Sequence, residues 1–188
     1  VFDGAMSEAR VYVNGKEACF WPFGYNSFHC DVTGLLNADG KNNVLAVRLE
    51  NRPQSSRWYP GAGLYRNVRL VTTERVHVPV WGTQLTTPHV SAEYASVRLR
   101  TTIRNAGDAD VRISTDIIAP DGKIVARKDN SRKINHGQPF EQNFLINAPS
   151  LWSPETPYLY KAVSKIYVDG KQTDEYTCLL YTSPSPRD

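Results

Sequence analysis

Arg57, Trp58 and Tyr59, with Tyr65 a short way on, gather aromatic rings and a guanidinium around Pro60-Gly61-Ala62-Gly63. Aromatic faces stack on the apolar C–H face of a sugar ring, and arginine donates paired hydrogen bonds to hydroxyls or carboxylates. Gly61 and Gly63 allow the backbone to bend sharply, so the loop is shaped rather than slack. Arg57, Trp58 and Tyr59 are therefore candidate substrate-binding residues. The same aromatics also suit packing against a neighbouring domain, and that reading weighs more for Tyr65 and Arg66. The rest of the chain offers little chemistry. His29, between Phe28 and Cys30, reads as a core or interface residue; His77, His89 and His136 fall at strand ends or turns. Neither a Ser/His/Asp spacing nor a phosphate-binding glycine loop is present. Asp31, Glu50, Asp116, Glu141, Glu155 and Asp169 each fall on an outward strand position or a turn, where a solvated charge is the simpler explanation. The expectation is that this stretch carries no catalytic residue, no metal site and no cofactor.

Three cysteines occur, Cys19, Cys30 and Cys178, without a CxxC pair or histidines at zinc spacing. Cys19 and Cys30 pair if they face each other on adjoining strands; two buried free thiols are the other reading. The 22 Lys+Arg and 19 Asp+Glu leave a net charge of +3 with no basic block, so nothing here is built for nucleic acid. No apolar run approaches the ~18 residues of a membrane-spanning helix. With 40% hydrophobic and 22% charged residues, the composition is that of a folded globular chain. Its 188 residues fit one large domain or two small ones, domains usually running about 100–150 residues. The chain opens at Val1 with neither a start Met nor a leader-like segment, which leaves its compartment open.

The elements that must position these residues follow a period of two. Val97, Leu99, Thr101 and Ile103 alternate with Arg98, Arg100, Thr102 and Arg104, and Val111, Ile113, Thr115 and Ile117 with Arg112, Ser114 and Asp116. Leu45, Val47 and Leu49 alternate with Val44, Ala46 and Arg48 in the same way. Such alternation predicts half-buried strands, and no window carries the spacing of a long amphipathic helix. Asn14-Gly15, Asp121-Gly122 and Asp169-Gly170 supply the positive φ angles of tight hairpins. Ala38-Asp39-Gly40 and Ala106-Gly107-Asp108 mark further turns. Strands are expected over 65–72 and around 80–85, with a boundary near 73–79. Residues 76–177 hold about seven strands in about 100 residues, the proportions of an immunoglobulin-like sandwich. The predicted class is all-β.

Several segments, in order, carry a family resemblance: ARVYVNG (9–15), YNSFHCDVTGL (25–35) with its F-x-x-D-V-T string, NVLAVRLEN (43–51), SSRWYPGAGLYRNV (55–68) and APSLWSPETPYLY (148–160). VYVNG fits any hairpin; the pair SRWYPGAGLYR and LWSPETPYLY is specific. Together they resemble the two non-catalytic β-sandwich domains at the N-terminal end of glycoside hydrolase family 2, with a loop most similar to that of the β-galactosidase-type members. The resemblance implies the C-terminal part of a jelly-roll, galactose-binding-like sandwich over 1–74 and an immunoglobulin-like sandwich over 75–177. It further implies a parent enzyme that hydrolyses terminal β-galactosides or related β-glycosides with retention. Such chemistry needs two carboxyl groups about 5–5.5 Å apart. In the family these stand on an (α/β)-barrel that follows the second sandwich, so no position here inherits them. The loop of Arg57, Trp58 and Tyr59 reaches the barrel in the family and edges the pocket. Expected partners are accordingly the carbohydrate substrate, through the whole enzyme, and that barrel. Sugar specificity, oligomeric state (a homo-oligomer included), export and the metal sites of some relatives are not legible.

LWSPETPYLY reads as a packed corner, with Leu151 and Trp152 as anchors and Pro154 and Pro157 fixing an extended turn. Residues 178–188, CLLYTSPSPRD, resemble a translated sequencing adapter, and the strand pattern is expected to stop at Thr177, where two Ser-Pro pairs follow. A free-standing carbohydrate-binding or adhesive sandwich protein would share every strand and aromatic, and so stays open as the alternative.

Overall fold

The computed structural model describes residues 1–37, 41–54, 57–59, 61–104, 107, 109–133, 138–180 and 182. The chain forms two compact units, Val1–Thr72 and Thr73–Asp188. Among the described residues every regular element is a β-strand except one 3-10 turn, Thr33–Leu35.

In the first unit β1 (Ala9–Val13) lies between β2 (Lys16–Trp21) and β3 (Leu45–Arg48), antiparallel to both. Asn14 and Gly15 adopt φ of 52° and 79° in the β1–β2 turn, as the Asn-Gly pair requires. The Asn14 side chain also donates to Leu35 O and accepts from Val44 N, both at 2.9 Å, so one turn residue ties three segments together. Asp31 accepts from the backbone N–H and hydroxyl of Thr33 at 3.0 and 2.7 Å. This is the local reason for the D-V-T string: the carboxylate closes a turn. The core gathers Phe2, Ala5, Ala9, Val11 and Phe28. Leu45 departs from the expected half-buried strand: it is 51% exposed, while Val47 and Leu49 pack on that core. No strand forms over 65–72 either. Phe2 bridges Val68 singly, and the remainder of the segment is irregular and exposed.

Among its described residues the second unit is a sandwich of seven antiparallel strands. One sheet orders β10 (Lys171–Leu180), β9 (Tyr160–Val168), β6 (Asp110–Ile118) and β7 (Ile124–Lys133); the other orders β4 (Thr83–Val90), β5 (Tyr94–Thr101) and β8 (Phe140–Asn147). This is the immunoglobulin-like arrangement of three strands against four. The strand expected near 80–85 begins later, at Thr83, because Trp81 sits at φ 58° and Gly82 N–H bonds to Pro79 O in a tight turn. Leu99, Ile113, Ile117, Ile146 and Ile166 fill the space between the sheets. A polar bridge crosses the same space. Gln142 accepts from the Thr115 hydroxyl at 2.6 Å and donates to Lys128 O and Asn130 Oδ1, both at 3.1 Å, and Thr115 reaches Ser164 at 2.8 Å. Asp121-Gly122 and Asp169-Gly170 turn the chain between β6 and β7 and between β9 and β10.

The Tyr160 hydroxyl accepts from Ser150 N at 2.8 Å, a tyrosine corner at the start of β9. Ser153 and Thr156 close the adjoining turn through a 2.9 Å hydroxyl pair. Strand β10 does not stop at Thr177. Cys178, Leu179 and Leu180 continue the ladder opposite Ala162, Lys161 and Tyr160, and Leu180 is buried. The in–out alternation of these three residues suits the register, and the Ser-Pro pairs act only beyond them. Residues 183–188, the Ala38-Asp39-Gly40 turn and, save Gly107, the Ala106-Gly107-Asp108 turn lie outside the described residues, as do Ser55, Ser56, Pro60 and His136.

Candidate functional site

The segment bearing Arg57, Trp58 and Tyr59 is held at both ends by the chain just before β1. On one side Arg52 pairs bidentately with Glu8, its Nε 2.9 Å from Oε1 and a terminal nitrogen 2.9 Å from Oε2. On the other, Met6 and Gly63 exchange backbone hydrogen bonds at 3.0 and 3.1 Å. Between these anchors Arg57, Trp58 and Tyr59 are exposed, Trp58 at 61% and Tyr59 completely. Singly exposed rings are ordinary, but a contiguous group of them marks a surface for a ligand or partner.

Trp58 is not loose. Its indole Nε1 donates to the Tyr25 hydroxyl at 3.2 Å, and Phe23 packs edge-on to Tyr25 with centroids 5.6 Å apart. Phe23 and Tyr25 are themselves about half exposed, so four aromatics, Phe23, Tyr25, Trp58 and Tyr59, stand open on two segments joined by one hydrogen bond. Tyr65 behaves otherwise. Its ring lies so close to Gly4 that a Cβ there would meet it at 2.6 Å, its hydroxyl donates to Gly24 O at 2.7 Å, and Arg66 covers its face. Though 46% exposed, Tyr65 packs one side of its ring and its hydroxyl against the unit. Sequence reasoning missed Phe23 and Tyr25. They stand in a W-P-F-G-Y stretch whose aromatic density was the available signal.

Cys19, in β2, and Cys30 are joined in a disulfide with Cα atoms 5.9 Å apart. They do not lie on paired strands: Cys19 stands opposite Val11, and Cys30 lies in the loop beyond Phe28. Phe28 stacks on both Phe2 and Trp21 and carries the chain back to β2, which brings the sulfurs together.

The remaining sequence candidates do not converge. His29 is exposed rather than in a core; His77 Nδ1 lies 2.9 Å from Glu74 O; His89 stacks on Tyr94. Among the described residues no three of His, Cys, Asp and Glu are grouped as metal ligands. Glu141 pairs with Arg100 at 3.0 Å and Glu50 with Arg48 at 3.6 Å, while Glu155 and Asp169 stand at turns. Asp116 is the most enclosed of these carboxylates. The Arg127 guanidinium hydrogen-bonds it through two nitrogens and holds its carboxyl below the ordinary aspartate range, against the opposing effect of burial.

The profile of the glycosyl hydrolases family 2 matches residues 78–179. A β-galactosidase of Bacteroides ovatus, BoGH2A, is 39% identical over 181 residues, covering 94% of this chain and 21% of that protein. The chain belongs to glycosyl hydrolase family 2. A putative β-glucuronidase of Formosa agariphila is 34% identical over 178 residues, covering 94% of this chain and 16% of its own length. A solved family 2 member from Bacteroides cellulosilyticus superposes with a TM-score of 0.85 at 31% identity, over 96% of this chain and 25% of that one. This family 2 chain thus spans about a fifth of the length of the relatives it matches. No described helix is long and apolar enough to cross a membrane.

Proposed function

We propose that this chain is the accessory, sandwich-bearing portion of a retaining exo-β-glycosidase that acts on terminal β-galactosides or related β-glycosides. What carries the reading is the match of 94% of this chain to the β-galactosidase BoGH2A over only 21% of that enzyme. The catalytic carboxylates then belong to a barrel outside these residues, and Arg57, Trp58 and Tyr59 serve as a substrate-binding rim that performs no bond chemistry. The exposed rings of Trp58 and Tyr59 support that role, since stacking on a sugar needs an open aromatic face.

The first unit is read as the C-terminal part of a jelly-roll sandwich over 1–74, and the second as an immunoglobulin-like domain over 75–177. The first unit leaves Leu45, on its three-stranded sheet, and Leu64, Leu70 and Val71, outside it, exposed, as expected where further strands complete a sandwich. Residues 178–188 are read as foreign sequence, which the coding DNA across the Thr177–Cys178 junction tests. A homo-oligomer of the whole enzyme is part of the proposal and is tested by light scattering. The enzymatic reading is tested by assaying the protein with and without its natural continuation on nitrophenyl β-galactoside and β-glucuronide. Turnover requiring the continuation supports it. A continuation with no glycosidase activity would favour a carbohydrate-binding or adhesive protein instead.

A further inference from the structure

Residues 20–29 form a loop closed at its base by the Cys19–Cys30 bridge, which spans eleven positions of sequence. Its inner side chains, Trp21 and Phe28, stack on each other with centroids 5.7 Å apart. Its outer side chains, Phe23 and Tyr25, point away from that core and are exposed. Between them Gly24 is buried and packs so tightly on Met6 that any side chain there would collide with the sulfur. Tyr65 locks the same residue by donating to Gly24 O at 2.7 Å. Tyr25 therefore leaves a fixed platform, and its hydroxyl meets the Trp58 indole N–H at 3.2 Å across 33 positions of sequence.

Trp58 sits on a segment whose described ends are held by Arg52–Glu8 and Met6–Gly63, and its own side chain bonds to Tyr25. An exposed indole on such a segment has many rotamers and must lose them to stack on a ring. A hydrogen bond to a fixed hydroxyl removes part of that cost before the ligand arrives, and a cross-link that keeps the loop from opening keeps the hydroxyl in place.

We infer that Tyr25 and the Cys19–Cys30 bridge are positioning residues for Trp58: the bridge fixes the loop, the loop fixes Tyr25, and Tyr25 orients the indole toward carbohydrate. This rests on the reading of Trp58 as part of the substrate rim. Neither Tyr25 nor the cysteines touch the sugar in this arrangement, so their effects run entirely through Trp58.

The test is steady-state kinetics of the full-length enzyme carrying this chain, with the single variants W58A and Y25F, the pair Y25F/W58A, and C19S/C30S. W58A is expected to raise KM about tenfold with kcat nearly unchanged, the pattern of lost ground-state binding. Y25F and C19S/C30S are each expected to raise KM about threefold, again at constant kcat. In the W58A background Y25F is expected to do nothing more, because its target is gone. If W58A raises KM and Y25F leaves it unchanged, or if the two effects simply add, the positioning role is wrong while the rim stands. If W58A leaves KM unchanged, the rim itself is wrong and the inference falls with it. Should C19S/C30S fold poorly, Y25F alone still decides, since removing one surface hydroxyl leaves the core intact.

Discussion

Trp58 and Tyr59 are neighbours with different freedom: one indole is tied to Tyr25, and the other ring stands wholly in solvent. Tyr59→Ala is accordingly expected to leave the thermal midpoint within about 1 °C, since surface side chains without partners contribute little to stability. Any loss should appear in KM, read by the same kinetics. The Cys19–Cys30 bridge is a different kind of residue effect. Closing a loop of this length stabilises by about 3 kcal/mol through the unfolded chain, so C19S/C30S should lower the denaturant midpoint of the first unit accordingly. Asp116 gives a pH dependence whose sign follows from its partner. Arg127 lowers its folded pKa below the unfolded value of about 3.9, so the stabilisation is present above that value and lost as pH falls through the lower, folded one. D116N should therefore melt below the parent at pH 7 and converge with it in strong acid, as followed by circular dichroism. At this scale the sequence showed Arg57, Trp58 and Tyr59 by type alone. It could not show Tyr25 or the disulfide. Both depend on Phe28 folding back onto Phe2 and Trp21, a contact that no local pattern encodes.

The strands were the most legible elements. Alternation in β5, β6 and β8 translates directly into buried and exposed faces, because one sheet face must meet the other sheet. Asn14-Gly15, Asp121-Gly122 and Asp169-Gly170 turn as their chemistry requires. Where the reading failed, the cause was tertiary. Residues 65–72 have strand-like side chains, but their backbone meets the N-terminal segment through isolated bonds such as Asp3 N to Asn67 O, and no ladder develops. Leu45 alternates correctly, yet it stands at the first residue of β3, and the core that Val47 and Leu49 meet leaves it 51% exposed. Strand β10 ran on because Leu180 reaches the core on the inward phase, whatever its origin. Gln142 is the least obvious element-scale residue: a fully buried amide in the middle of β8 that holds partners on β6 and β7. Gln142→Leu keeps the volume but leaves the Thr115 hydroxyl, Lys128 O and Asn130 without it. It should cost about 1–3 kcal/mol in urea unfolding of the second unit. Ile113→Ala, a plain cavity in the same core, should cost about 2–5 kcal/mol.

At the scale of the molecule, a first unit built on one three-stranded sheet carries the exposed aromatics, and a second unit forms a β-sandwich. Glu50, Glu141 and Asp116 pair with arginines, and Asp31 closes a turn. Family membership was legible from two motifs, SRWYPGAGLYR and LWSPETPYLY, and the structure explains their different character. In the first, Arg57, Trp58 and Tyr59 stand open at the surface; the second is a corner built on the Tyr160 hydroxyl and the Ser153–Thr156 pair. Relatives named for β-galactosidase and for β-glucuronidase activity match these same residues, so this stretch does not separate the two. The most direct measurement is hydrolysis of nitrophenyl β-galactoside by the purified 188-residue chain beside the same chain joined to its natural continuation. The expected result is no turnover above buffer from the chain alone and saturable turnover from the extended protein. Turnover by the isolated chain, or none from the extended one, would contradict it.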